Sequence, residues 1–261
     1  MRDPHVVALR YRLVPTETIS FDQPPTVERD TEAFQIRLAD NIVTFEMLEH
    51  HASEESARER VEPYLRAWEI LDALDKGRPE MSFEFEWADV IDRDPLPPGV
   101  GQVIHAKAAM AAAGALDATL HFTRSQYPEP PDRFVLSDDV KVMWGRYNAY
   151  LNGEERLDAM AYACLSKLEE RAGRREQAAK QYNISSKVLN ELGRLTTEVG
   201  DEQTARKYRG RKERRSYTRA EQTWIKAALR AVIRRAGQWA YDSEAQWPKL
   251  TMNDLPKLPS F

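Results

Sequence analysis

Tyr127-Pro128-Glu129-Pro130-Pro131-Asp132 divides this chain, because its three prolines in four positions cannot continue a helix or sit in a central strand. Before this segment apolar residues recur at every second position, and after it at every third or fourth. The fold class that follows is α+β, an N-terminal antiparallel β-sheet domain with one packed helix and a C-terminal all-α helical bundle. Its boundaries are set at residues 1–127 for the acidic β domain and 128–136 for a Pro-rich linker. Residues 137–240 make a basic helical bundle, and 241–261 an extended tail on the surface.

Working back from the break, Val7, Leu9, Tyr11 and Leu13 alternate with Ala8, Arg10 and Arg12, the pattern of a strand with one buried face. Phe34, Ile36 and Leu38 repeat it, Asp40-Asn41 supplies a turn, and Val43, Phe45 and Met47 continue it as a hairpin partner. Ser53-Glu54-Glu55 opens a helix to about Lys76, with Ala57, Val61, Tyr64, Leu65, Trp68, Leu71 and Leu74 inward and Asp72 and Asp75 on its polar border. Pro63 is expected to kink it or start a second helix. Met81, Phe83, Phe85 and Trp87 read as a further strand with Ser82, Glu84 and Glu86 on the wet side, and two more are expected over 102–110 and 118–125.

Working forward, Ser137-Asp138-Asp139 opens a helix, and others are expected over 154–171, 174–182 and 185–197. Thr218-x-x-Glu221 is a capping box opening the last, whose buried stripe is Trp224, Ile225, Ala228, Leu229, Val232 and Ile233.

Charge is polarised between the halves. Residues 1–100 carry 11 Lys/Arg against 22 Asp/Glu, whereas 171–235 carry 18 against 7, so the second half attracts anions. The single cysteine, Cys164, excludes an intramolecular disulfide. No stretch approaches the ~18 apolar residues of a membrane span and no leader is evident, so we expect a cytoplasmic protein that does not engage membranes.

Two features of the basic half point to a partner. The segment 177–192 resembles a helix-turn-helix: Ala179 lets two helices approach, Asn183 takes the left-handed turn, Ile184 and Leu189 face the core, and Ser185 can cap the second helix. In such motifs the second helix meets the major groove, and here it would present Ser186, Lys187, Asn190 and Arg194, with Glu191 unfavourable beside phosphates. The basic run then adds Arg206, Lys207, Arg209, Arg211, Lys212, Arg214 and Arg215, interleaved with Tyr208 and Tyr217. Lys226, Arg230 and Arg234 form a stripe at helical spacing opposite Trp224. A solvated charged loop and an ordinary helical hairpin would use the same residue types.

Signals for catalysis are weak. A helical domain after a β domain resembles in outline the HEPN-like ribonucleases, which pair an Arg with a His close behind it. The histidines here are His5, His50, His51, His105 and His121, all before the bundle, so that motif is missing. Glu46, Glu49, His50, His51, Glu54 and Glu55 lack the spacing of a metal site, since adjacent histidines on a strand point to opposite faces. Glu84, Glu86, Asp89, Asp92 and Asp94 beside His105 and Lys107 fall short of a metal-dependent nuclease, because His105 stands where an acid is needed. No phosphate loop or nucleophile elbow occurs, and Cys164 has no nearby histidine.

The sequence therefore leads us to expect a non-catalytic binding or adaptor protein without metal or cofactor, its basic helical domain on nucleic acid. The alternative is a structural subunit of a complex or homo-oligomer, the basic surface meeting an acidic protein surface. A nuclease of HEPN-like or metal-dependent type is the lesser alternative.

Overall fold

The computed structural model describes residues 3–94, 121–199 and 215–258. By its internal contacts the chain falls into two units, Met1–Asp72 with Pro79–Pro131, and Ala73–Arg78 with Asp132–Phe261.

The first unit is built on a five-stranded antiparallel sheet. Its strands are β1 (Pro4–Pro15), β3 (Val27–Asp30), β4 (Phe34–Ala39), β5 (Ile42–Met47) and β6 (Met81–Asp92), in the order β3-β4-β5-β1-β6. The β4–β5 hairpin closes as its sequence predicts: Asp40 and Asn41 both take positive φ, 52° and 62°, the two-residue turn whose twist matches that of the strands. Helix α1 (Glu54–Lys76) lays Ala57, Val61, Leu65 and Trp68 on the sheet among Leu9, Tyr11, Phe34 and Phe45. Aromatic rings meet throughout this core, Phe34 edge-on to Phe45 with ring centres 5.1 Å apart and Trp68 tilted against Phe83 at 5.1 Å. Pro63 neither ends nor divides α1; it lies on the exposed side within one continuous helix. Asp72, read as a polar border, is buried.

Two strand phases differ from simple alternation, for one reason. Pairing of β1 with β6 shifts register between Val6 and Ala8 and again between Arg10 and Tyr11. Each irregularity inserts one residue, and a one-residue insertion sends every following side chain to the other face. Val6 is therefore buried and Val7 only partly so. Past Glu86, Trp87 turns to the exposed side, where Arg10 stacks over its ring at 5.0 Å.

The expected strand over 102–110 lies outside the described residues. The one over 118–125 is described from residue 121, as β7 (Phe122–Arg124), which pairs in parallel with β2 (Ile19–Phe21) and not with the main sheet. The Pro-rich segment is not a loose tether. Tyr127 is buried, its hydroxyl accepts from the Asn41 amide at 2.8 Å, and Pro130 and Pro131 are buried too.

The second unit holds α2 (Asp138–Leu151), α3 (Leu157–Ala172), α4 (Arg175–Gln181), α5 (Ser186–Glu198) and α6 (Arg219–Tyr241). Ser137 caps α2 through its hydroxyl, and Thr218 with Glu221 forms the full capping box of α6. Trp224, Ile225, Ala228, Leu229, Val232 and Ile233 are all wholly buried. Gly237 permits the crossing of Phe134, whose ring occupies the space a Cβ would need.

The tail is a correction to the sequence reading. It is not simply extended on the surface: Leu250 and Leu255 are buried, Leu250 pairs in parallel with Ile184, and Met252–Asp254 forms a short 3-10 turn capped by Thr251. Two apolar residues spaced along an extended segment are buried in anchoring it, a signal too short for periodicity to register.

Candidate nucleic-acid interface

The α4–α5 hairpin forms around Asn183, which takes φ 47° between Tyr182 and Ile184. Ala178, Ala179, Ile184, Val188, Leu189 and Leu192 are buried behind it, so the small and apolar positions pack as the sequence predicts. Ser186, Lys187 and Asn190 are exposed on the first turns of α5. Ser185 differs from expectation: it occupies the N-cap position but its side chain makes no capping bond, and its amide donates instead to the Leu250 carbonyl at 2.8 Å. The first turn of α5 carries no acid. Among the described residues, Lys187 and the neighbouring exposed Lys180 have no carboxylate partner.

The arginines assigned to the same surface are placed differently. Arg194 lies along α5 with its guanidinium on both oxygens of Glu191, at 2.7 and 3.1 Å, so cation and acid cancel one another. Arg215 makes a two-pronged bond to Glu221 at 2.6 and 2.7 Å. That carboxylate is 1% exposed, and the guanidinium with the Thr218 amide and hydroxyl holds its pKa down to about 2. Arg215 thus completes the cap of α6. Tyr217, read as a stacking aromatic, donates its hydroxyl to the Leu195 carbonyl at 2.9 Å, and burial raises its pKa.

Of the α6 stripe, Lys226 is half-buried, and Arg230 and Arg234 turn to the carboxyl end of α1. Arg230 donates to the carbonyls of Leu74 at 3.3 Å and Asp75 at 3.5 Å, and Arg234 pairs with the Asp75 carboxylate. Cations at a helix carboxyl end meet unpaired carbonyls and the negative end of the helix dipole. Gly77, at φ 84°, ends α1 there, and a Cβ on it would come within 2.8 Å of the Arg230 guanidinium. Arg206, Lys207, Arg209, Arg211, Lys212 and Arg214 lie outside the described residues, as do Tyr208, His105 and Lys107.

Sequence reasoning missed Lys180, Lys249 and Arg235. Lys180 and Lys249 are isolated lysines without a basic neighbour, so no charge run marked them. Arg235 adjoins Arg234 but lies on the buried side of α6, which the helical period could have revealed.

Cys164 is fully buried beside the Met143 carbonyl, and burial pushes its thiol up to about 12, so it stays protonated. In the first unit a pocket of about 210 Å³ is lined by Tyr11, Arg58, Glu62, Arg66, Glu69 and Phe85. Arg58 bonds to Glu54 and Glu62, and Arg66 to Glu69, so its charges are mutually satisfied. His50 and His51 point to different partners, His50 to Asp3 at 3.7 Å and His51 to the Ser56 hydroxyl at 3.1 Å. Among the described residues no three His, Cys, Asp or Glu side chains converge on a metal position, and no helix is long and apolar enough to cross a membrane.

No protein-family model, curated protein or solved structure matches the chain.

Proposed function

We propose that the chain is a non-catalytic nucleic-acid-binding or adaptor protein whose α4–α5 hairpin works as a helix-turn-helix. The observation that carries this reading is the first turn of α5. It is exposed at Ser186 and Lys187 and, a turn on, at Asn190, has no acid and no side-chain cap, and stands beside lysines that have no carboxylate partner among the described residues. A helix amino terminus with free amides and cations favours a phosphate oxygen, and short polar side chains there can reach base edges. Arg194 pairs with Glu191 and so offsets the acid on α5 that would repel phosphates. The basic residues at 206–214, in the sequence between α5 and α6, add positive charge to the chain that favours a polyanion. A cytoplasmic setting belongs to this reading.

The test is a titration of labelled duplex and single strand into the full chain at several salt concentrations, with mass followed in parallel. Wild type is expected to bind at low salt and weaken steeply as salt rises, since each neutralised phosphate releases condensed counterion. Replacing Arg211, Lys212 and Arg214 together with Ala should flatten that slope while self-association stays as it is. Arg215 is left in place because it holds Glu221. Absence of binding at low salt, with a complex or oligomer that the same substitutions dissolve, would replace this reading by the protein-partner one.

A further inference from the structure

We infer that the carboxyl-terminal tail is part of this binding surface, with Lys249 a phosphate contact beside Lys187 and Arg235 the residue that positions it. The inference rests on the nucleic-acid reading of the α4–α5 hairpin and extends that site to a third segment of chain.

The tail is laced to the turn by backbone and side chain alike. Leu250 donates its amide to the Asn183 carbonyl at 3.0 Å and accepts from the Ser185 amide at 2.8 Å, while the Asn183 side-chain amide donates to the Trp247 carbonyl at 2.6 Å. Successive side chains of an extended segment point in opposite directions. Leu250 is buried, so Lys249 is turned outward, next to the turn that leads into α5, and it is exposed. Of the acids in and before the tail, Asp254 accepts from the Thr251 amide and hydroxyl at 2.7 and 2.8 Å, and Asp242 accepts from the amides of Glu244 and Ala245.

Arg235 is the strut between the two segments. From α6 its guanidinium donates to the Tyr182 carbonyl at 3.1 Å and the Asn183 carbonyl at 3.2 Å on one side. On the other it donates to the Pro248 carbonyl at 2.6 Å, and its Nε to Gln238 at 3.0 Å. The Arg235 side chain is buried and its bond to the Tyr182 carbonyl is buried with it, so losing that bond leaves an acceptor away from water. A planar fork is needed to serve carbonyls on two chain segments at once, and a lysine ammonium cannot span them. Lys180 on α4, Lys187 on α5 and Lys249 on the tail thus sit on three segments held around one turn, an arrangement suited to a run of phosphates and not to a single small anion.

The experiment uses the full chain and the labelled duplex of the preceding titration. Lys249→Gln is expected to weaken binding several-fold at low salt and to reduce the slope of log affinity against log salt by about one. Lys249→Arg should restore both, which a purely structural lysine would not require. Arg235→Lys should speed amide exchange at Ser185 and Leu250 and weaken binding at least as much as Lys249→Gln, while amides in the middle of α6 stay protected. Wild-type binding with an unchanged affinity and slope in Lys249→Gln overturns the inference and leaves the functional reading standing. A wild type that binds no duplex at low salt defeats the functional reading itself, and with it the contact assigned to Lys249.

Discussion

Two cationic regions of the second unit differ in what they touch. Along α6 and its cap, Arg215, Arg230, Arg234 and Arg235 are all spent on partners: a buried carboxylate, the end of α1, and the carbonyls of a turn and the tail. Around the α4–α5 turn, Lys180, Lys187 and Lys249 stand in solvent with no carboxylate partner among the described residues. Positive charge near a helix is therefore two different things, a structural fastener in one place and an available contact in the other. The arginine side chain suits the first role, since its fixed fork satisfies two acceptors together.

The comparison is broken most sharply at Glu221. If Arg215 is a fastener, Glu221→Ala takes the buried carboxylate away from its guanidinium and from the α6 cap, and stability should fall by about 3 kcal/mol in urea unfolding at pH 7. The pH dependence has a definite sign. A carboxyl held down at about 2 contributes stability that is complete above its unfolded value of 4.5 and is lost as pH falls toward 2. The difference between wild type and Glu221→Gln should therefore shrink steadily between pH 5 and 2. A constant difference across that range would show that Arg215 is not what holds the carboxyl.

A smaller effect is expected at the end of α1. Arg230→Ala with Arg234→Ala removes one cation from the carbonyls of Leu74 and Asp75 and the other from the Asp75 carboxylate, and should cost roughly 2 kcal/mol. Duplex affinity measured on the folded variant should stay within about twofold of wild type. Affinity lost with stability unchanged would move these two arginines into the contact surface and erase the distinction.

Titration of a third kind of cation sharpens it further. His5 is buried, stacked on His50 at 5.2 Å, and its pKa is lowered by that burial, by Arg93 and by the imidazoles of His50 and His51, against the opposing pull of Asp3. A histidine so depressed favours the folded state when neutral. Its contribution is intact above the unfolded value of 6.5 and is lost as pH falls below it. His5→Phe should flatten the fall in stability between about pH 7 and 5, by less than about 1 kcal/mol. An unchanged pH profile in thermal melts would place the titration elsewhere.

The smallest effect on stability belongs to the free lysines. Lys180→Ala and Lys187→Ala together should leave the urea midpoint within about 0.5 kcal/mol of wild type. The same variant should lose much of its duplex affinity and of its salt slope. Loss of stability beyond that bound would make them fasteners like the arginines.

Much of the frame was legible because its signals are local. The Asp40-Asn41 turn, the Ser137 cap and the Thr218/Glu221 box each depend on residues within a few positions of one another, and all three formed. Val7 and Trp87 were misread because bulges reset the alternation, and a bulge is a property of two paired strands that neither sequence reveals alone. The β2–β7 pair was illegible for a similar reason, being two three-residue strands whose pairing joins Ile19 to Phe122. At the candidate site the hairpin and the exposure of Ser186, Lys187 and Asn190 followed from helical phase, whereas Lys249 and Arg235 entered only through the packed tail.

By itself the sequence determined the types of the described main elements, the turn at Asn183, the caps at Ser137 and Thr218 and the concentration of positive charge in the second half. These depend on backbone sterics and hydrogen bonds that close within one or two turns of chain. Only the tertiary structure decided which cations are free. Arg234 finds its carboxylate 159 positions away, and Arg230 its carbonyls at comparable separations. A long charged side chain carries no local signal of whether it will end on water or on a partner, because that choice is made by whatever the fold brings within a few ångströms of its tip.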